Sequence, residues 1–136
     1  MFKYLLFVIV CFFTAPVQAV QVIAHPSIEL HHLSPAQLRA LFSMRQTQWP
    51  DGSAVRVFVL SSDHPLHQNF CKEQLRMFPY QLDNIWNRLS FSGIGSRPQQ
   101  VSTEQELIEL VQSTPGGIGY RAGNANDTGV RIIEIR

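Results

Sequence analysis

The sequence predicts a small α/β protein, a mixed sheet flanked by helices, on three observations. Segments rich in β-branched residues alternate with segments of helical period along the chain. Two Ser-x-x-Gln capping signals mark helix starts inside that alternation. The 136 residues suffice for one ordinary domain, and a composition of 45% apolar and 15% charged residues belongs to a chain that folds.

Each element follows from its residues. Val20–Ala24 (VQVIA) ends at His25-Pro26 and reads as a strand. Ser34-Pro35-Ala36-Gln37 joins an N-cap, a proline at the first helical position and a glutamine at the third. Leu38, Leu41 and Phe42 then recur at i, i+3, i+4, as a short amphipathic helix requires. Trp49-Pro50-Asp51-Gly52 is a turn, and Ala54–Leu60 (AVRVFVL) is apolar at nearly every position, which suits a strand covered on both faces. After the loop Ser61-Ser62-Asp63-His64, a helix is expected from Pro65 to Arg76, with Leu66, Phe70, Cys71 and Leu75 as its buried stripe. Pro79 opens another, with Leu82, Ile85, Trp86 and Leu89 on its inner face. The glycine-rich loop Ser92–Pro98 follows, and Ser102 with Gln105 caps a last helix faced by Leu107, Leu110 and Val111. Thr114-Pro115-Gly116-Gly117 stops it, Ile118-Gly119-Tyr120 starts a strand, and Val130–Ile135 is the final one.

Residues 1–19 read as a secretory signal peptide rather than as part of the fold. Lys3 supplies the positive start, and Tyr4–Phe13 is an apolar run too short to span a bilayer. Ala15-Pro16-Val17-Gln18-Ala19 then offers small residues at the positions a signal peptidase reads, with cleavage expected after Ala19. The domain is then residues 20–136, exported, with Cys71 as its lone cysteine and no internal disulfide. A formal net charge of +1 sets aside a general nucleic-acid binder and a polybasic membrane-surface protein.

Several segments in order resemble a known family. Leu33-Ser34-Pro35-Ala36-Gln37-Leu38, then Thr47-Gln48-Trp49-Pro50-Asp51-Gly52, the strand with its serine-rich loop, and Thr114-Pro115-Gly116-Gly117-Ile118-Gly119-Tyr120 are similar to the type 2 periplasmic binding proteins of phosphate ABC transporters. The resemblance spans roughly Ser34 to Tyr120 and is closest to short, single-lobe members, so it implies one half of that fold. It implies further a Gram-negative periplasmic location and a small oxyanion, phosphate foremost, as ligand. In the family an arginine and a Ser-Gly-Thr turn follow the strand. Here the stretch is Val59–Leu66, with no arginine in the loop, an acidic Asp63 and a proline at position 65 that removes an N–H donor. These departures imply weak or altered anion specificity.

The candidate ligand-binding residues are Ser61, Ser62 and His64 in that loop, flanked by Ser92, Gly93 and Arg97 in the glycine-rich loop. Serine hydroxyls, backbone N–H groups and a guanidinium are the donors an oxyanion needs. Two readings stay open for the first loop, plain N-capping or anion contact, since both draw on the same free N–H groups. The glycine-rich loop is either a tight connection or a second wall of the site.

His67 and Cys71 share a helical face with His64 one turn away, but nothing in the sequence brings a third metal ligand near, and Cys71 falls on the apolar stripe. A mid-helix cysteine is also a poor nucleophile. Glu104, Glu106 and Glu109 read as a solvated acidic face that complements the helix dipole. No phosphate-loop, dinucleotide or zinc-protease motif occurs. The expectation is therefore a non-enzyme without cofactor or metal. A different class of function, a protein-interaction module docking on a periplasmic or membrane partner or on a second copy of itself, is favoured if Trp49, Phe91 or Tyr120 is exposed near the loops.

Overall fold

A computed structural model of the chain describes residue 11 and residues 19–123 and 129–136. The expected signal segment lies outside the described residues except for positions 11 and 19. Among the described residues, no helix is long and apolar enough to cross a membrane.

The elements are β1 (Val20–Ala24), β2 (His32–Leu33), α1 (Pro35–Phe42), β3 (Arg56–Leu60), α2 (Pro65–Phe70), α3 (Pro79–Ser92), β4 (Gln99–Val101), α4 (Glu104–Ser113), β5 (Gly117–Ala122) and β6 (Arg131–Ile135). The strands form one six-stranded sheet in the order β2-β6-β1-β5-β3-β4. It is mixed: β1 runs antiparallel to β5 and β6, with Val22 opposite Tyr120 on one side and Ile133 on the other. The pairs β3–β5, β3–β4 and β2–β6 are parallel.

Side-chain alternation along β5 sorts the helices into two layers. Gly119 faces α4, where a Cβ would come within 2.5 Å of the Leu107 side chain and 3.1 Å of Val111. Its neighbour Tyr120 faces the other way, onto Phe70 of α2 at a centroid distance of 4.1 Å and Phe42 of α1 at 6.2 Å. The glycine thus lets α4 settle on the sheet, and the tyrosine fills the opposite layer. Trp86 of α3 closes that layer by donating its indole N–H to the Phe42 carbonyl over 2.9 Å. Side chains such as Phe42, Phe70 and Leu82 are fully buried, each contributing about 1.5–3 kcal/mol through removal of apolar surface from water.

The turn signals have physical partners. Ser34 Oγ accepts the Gln37 N–H, and the Gln37 side chain accepts the Ser34 N–H, a complete capping box. Gly116 sits at φ +79°, where its carbonyl accepts both the Trp49 indole N–H and the Arg56 N–H. The Trp49 turn and the Pro-Gly-Gly turn are therefore locked to each other beside the start of β3.

Several expectations are corrected. The strand expected from Ala54 begins at Arg56, and Ala54 makes only an isolated bridge to Gln48. The helix expected over 65–76 changes pitch: α2 ends at Phe70, and Cys71–Leu75 is a π-helical turn closing at Arg76 in the left-handed region. Leu66 is only partly buried, and His67 takes the place expected of it in the inward stripe. The last helix is capped by Thr103, whose hydroxyl accepts the Glu106 N–H, one residue beyond the expected Ser102. Strands β2 and β4 have two and three residues, too few for a period to show in sequence.

Candidate functional site

The loop Ser61–His64 leaves the end of β3, and a buried polar chain holds that strand end in place. The Leu60 N–H donates to the Tyr120 hydroxyl over 2.8 Å. The hydroxyl in turn meets His67 Nδ1 at 2.5 Å, and His67 Nε2 lies 3.4 Å from Cys71 Sγ. With the tyrosine oxygen accepting from Leu60, its proton is directed to Nδ1, which places the imidazole proton on Nε2. All three side chains are buried. Burial pushes His67 down to about 4 and Cys71 up to about 12, and raises the Tyr120 hydroxyl well above its ordinary value. The chain is therefore neutral, and a thiol held protonated in this way is inert as a nucleophile.

Within the loop, the Ser61 hydroxyl donates to Asp63 Oδ1 over 2.6 Å, which is the main cause holding the Asp63 carboxyl below its ordinary range. His64 is the N-cap of α2, its Nδ1 accepting the Leu66 N–H over 3.1 Å. The Ser62 hydroxyl turns outward from the loop and donates to Asp83 Oδ2 of α3 over 2.7 Å.

The second loop behaves differently at its two ends. Ser92 is the last residue of α3 and donates its hydroxyl to the Leu89 carbonyl, and Gly93 caps the helix at φ +71°. They lie roughly 13–15 Å along the helix axis from Asp83 and belong to the helix end. Arg97 reaches back along α3: one guanidinium nitrogen donates to Asn87 Oδ1, and the other lies 3.4 Å from Asp83 Oδ1. The guanidinium stands 5.6 Å from the Trp86 ring centroid, a cation–π distance.

Of the six residues singled out from the sequence, Ser62 and Arg97 are thus brought together, on opposite oxygens of one carboxylate. Ser61 and His64 stand in the same loop as Ser62, whereas Ser92 and Gly93 serve the α3 terminus. The first loop holds no arginine, and Arg97 of the second reaches the same carboxylate that Ser62 does. Sequence reading missed Asp83 and Asn87, and placed Trp86 only on the inner face of its helix. The i, i+4 spacing of Asp83 and Asn87 does put them on one stripe of α3, but nothing local says that the stripe meets Ser62.

The other candidates resolve as follows. Trp49 and Tyr120 are buried, whereas Phe91 and Ile94 are 91% and 83% exposed. Glu104, expected to face water, accepts the Ala122 N–H over 2.9 Å and ties α4 to β5. Among the described residues, no group of three or more His, Cys, Asp or Glu is placed to hold a metal ion. A cavity of about 430 Å³ borders Arg97, Arg56, Ser96, Gln99 and Thr114 but includes none of Ser61, Ser62, His64, Ser92 or Gly93.

The fold is that of one half of a type 2 periplasmic binding protein, a mixed sheet between helical layers. A protein from Clostridium perfringens, described as a phosphate ABC transporter substrate-binding protein and solved with bound phosphate, matches 87% of this chain at a TM-score of 0.68 and 16% identity. An ABC-type phosphate transport receptor from Vibrio cholerae matches 87% at 0.65 and 12% identity, and PstS from Borrelia burgdorferi matches 88% at 0.63 and 17% identity. The match covers 45%, 46% and 47% of those three chains, so this chain spans less than half the length of the structures it resembles. No family model and no curated protein matches the sequence.

Proposed function

We propose that this protein is an exported, non-enzymatic binding module that takes a small oxyanion, phosphate foremost, with low affinity. The observation that carries the reading is the convergence of the Ser62 hydroxyl and the Arg97 guanidinium, from separate loops, on one anionic group. Donors so arranged suit a second anion of similar size. Ser61 and His64 supply the rest of the loop, and the structural neighbours described as phosphate-binding or phosphate-transport proteins support the ligand class. In this reading residues 1–19 are removed on export and the working domain is residues 20–136 in the periplasm. Low affinity follows from the loop itself, where Asp63 adds a negative charge and Pro65 removes an N–H donor.

The test is thermal unfolding of residues 20–136 against phosphate, sulfate, phosphonates and small carboxylates. A ligand present at a hundred times its dissociation constant stabilises by about 2.7 kcal/mol, a rise of roughly 5–15 °C for a domain of this size. That rise is expected with phosphate and is lost in Ser62→Ala/Arg97→Met. A flat panel refutes oxyanion binding. A second reading, docking on a protein partner, is favoured by the exposure of Phe91 and Ile94 at the end of α3. It predicts a flat panel together with loss of partner capture in Phe91→Ser.

A further inference from the structure

The donors proposed above to hold an oxyanion are already occupied. Ser62 Oγ gives its proton to Asp83 Oδ2 at 2.7 Å, and an Arg97 nitrogen lies 3.4 Å from Asp83 Oδ1. The two oxygens of one carboxylate are thus divided between donors from two loops, as two oxygens of a bound oxyanion would be. An isolated exposed ion pair would mean little, since such pairs are held together weakly. This one is different in three respects. The Asp83 side chain is only 28% exposed. It takes a neutral donor as well as the cation. The guanidinium, moreover, is fixed from other sides by Asn87 and by the Trp86 ring, so its direction does not depend on Asp83 alone.

We infer that Asp83 is an internal ligand, a carboxylate of the chain itself that occupies the position between Ser62 and Arg97 and that a solute oxyanion must displace. The inference rests on the oxyanion reading of Ser62 and Arg97. It adds the residue that sets the affinity of that site. While the carboxylate is in place, a second anion meets like charge and spoken-for donors, so only the fraction of molecules with Asp83 swung out is competent. The apparent dissociation constant is the intrinsic one divided by that fraction. A carboxylate engaged about nine-tenths of the time therefore weakens binding on the order of tenfold. Asp83 lies on a regular α-helix, so its side chain can leave by rotation about its own bonds without disturbing α3.

Inorganic phosphate is titrated into residues 20–136 by calorimetry, for wild type, Asp83→Ala, Asp83→Asn and Asp83→Ala/Arg97→Met. The expected result is a gain on the order of tenfold in Asp83→Ala, and its loss in the double variant. Asp83→Asn, which keeps a hydrogen-bond acceptor for Ser62, serves where the alanine variant unfolds by circular dichroism. If wild type binds phosphate and neither folded Asp83 variant binds it more tightly, the internal-ligand inference is overturned while the oxyanion reading stands. If no form binds, the oxyanion reading falls and takes this inference with it. An independent readout uses the wild type alone: in a phosphate titration followed by NMR, the Asp83 carboxyl carbon and the Ser62 amide must shift together. Binding that leaves both unmoved also overturns the inference.

Discussion

Acidification through the range of a histidine should destabilise this protein from the inside, through His67. The imidazole is fully buried, bonded to Tyr120 at Nδ1, and pushed down to about 4 by burial from an ordinary value of 6.5. A histidine with a lowered folded-state pKa is protonated first in the unfolded chain. Between the two values the unfolded state binds more protons, so stability rises with pH there and falls as pH drops. The contribution is fully present above 6.5 and fully lost below about 4. A fall from 6.5 to about 4, at about 1.4 kcal/mol for each tenfold change in proton affinity, corresponds to about 3 kcal/mol in all, most of it lost between pH 7.5 and 4.5. Asp51 and Asp63 do not confuse the window. Their carboxyls are lowered by bonds to Ser53 and Ser61, so what they contribute is lost only as pH falls below 3.8. Urea unfolding at steps between pH 7.5 and 4.5, in wild type and His67→Gln, is the assay. The variant is less stable at pH 7.5 and its curve is flatter through the window. A wild-type unfolding free energy that is level across the window, or an NMR titration of the His67 ring centred near 6.5, refutes the argument.

Two further outcomes follow from the same core. Tyr120→Phe leaves the Leu60 N–H and His67 Nδ1 without their shared partner in a dry layer, and should cost roughly 2–4 kcal/mol in denaturant unfolding, with a midpoint near wild type arguing against the buried chain. Gly116→Ala combines a φ of +79° with a Cβ that would lie 2.2 Å from the Ala54 carbonyl oxygen, and should cost about 2 kcal/mol or more, with an unchanged melting temperature contradicting the locked turn.

The local physics of the chain was legible where it is short-ranged. The Ser34–Gln37 box, the proline starts of α1, α2 and α3 and the period of α4 are decided within a few residues, and each element stands close to where those residues put it. The nearly all-apolar run that becomes β3 likewise announced burial on both faces from Val57 to Leu60. Motif order carried the fold class too, because the Trp49 turn and the Gly116 turn must find each other for β3 to enter the sheet. Legibility stopped at β2 and β4, whose pairing is supplied by neighbouring strands rather than by their own pattern, and at Cys71, where the helix widens.

The residues thus determined by themselves the strand and helix alternation, the Ser34–Gln37 cap and the turns at Trp49 and Gly116. Only the tertiary structure decided that His67 lies inward to meet Tyr120, and that Asp83 stands between Ser62 and Arg97. Both are contacts between segments far apart in the chain, made by polar side chains whose spacing reveals the helix face they occupy but not what that face meets. That is settled by packing of whole elements on the sheet, where apolar burial is the dominant driving force and polar groups bond to whatever it brings within reach.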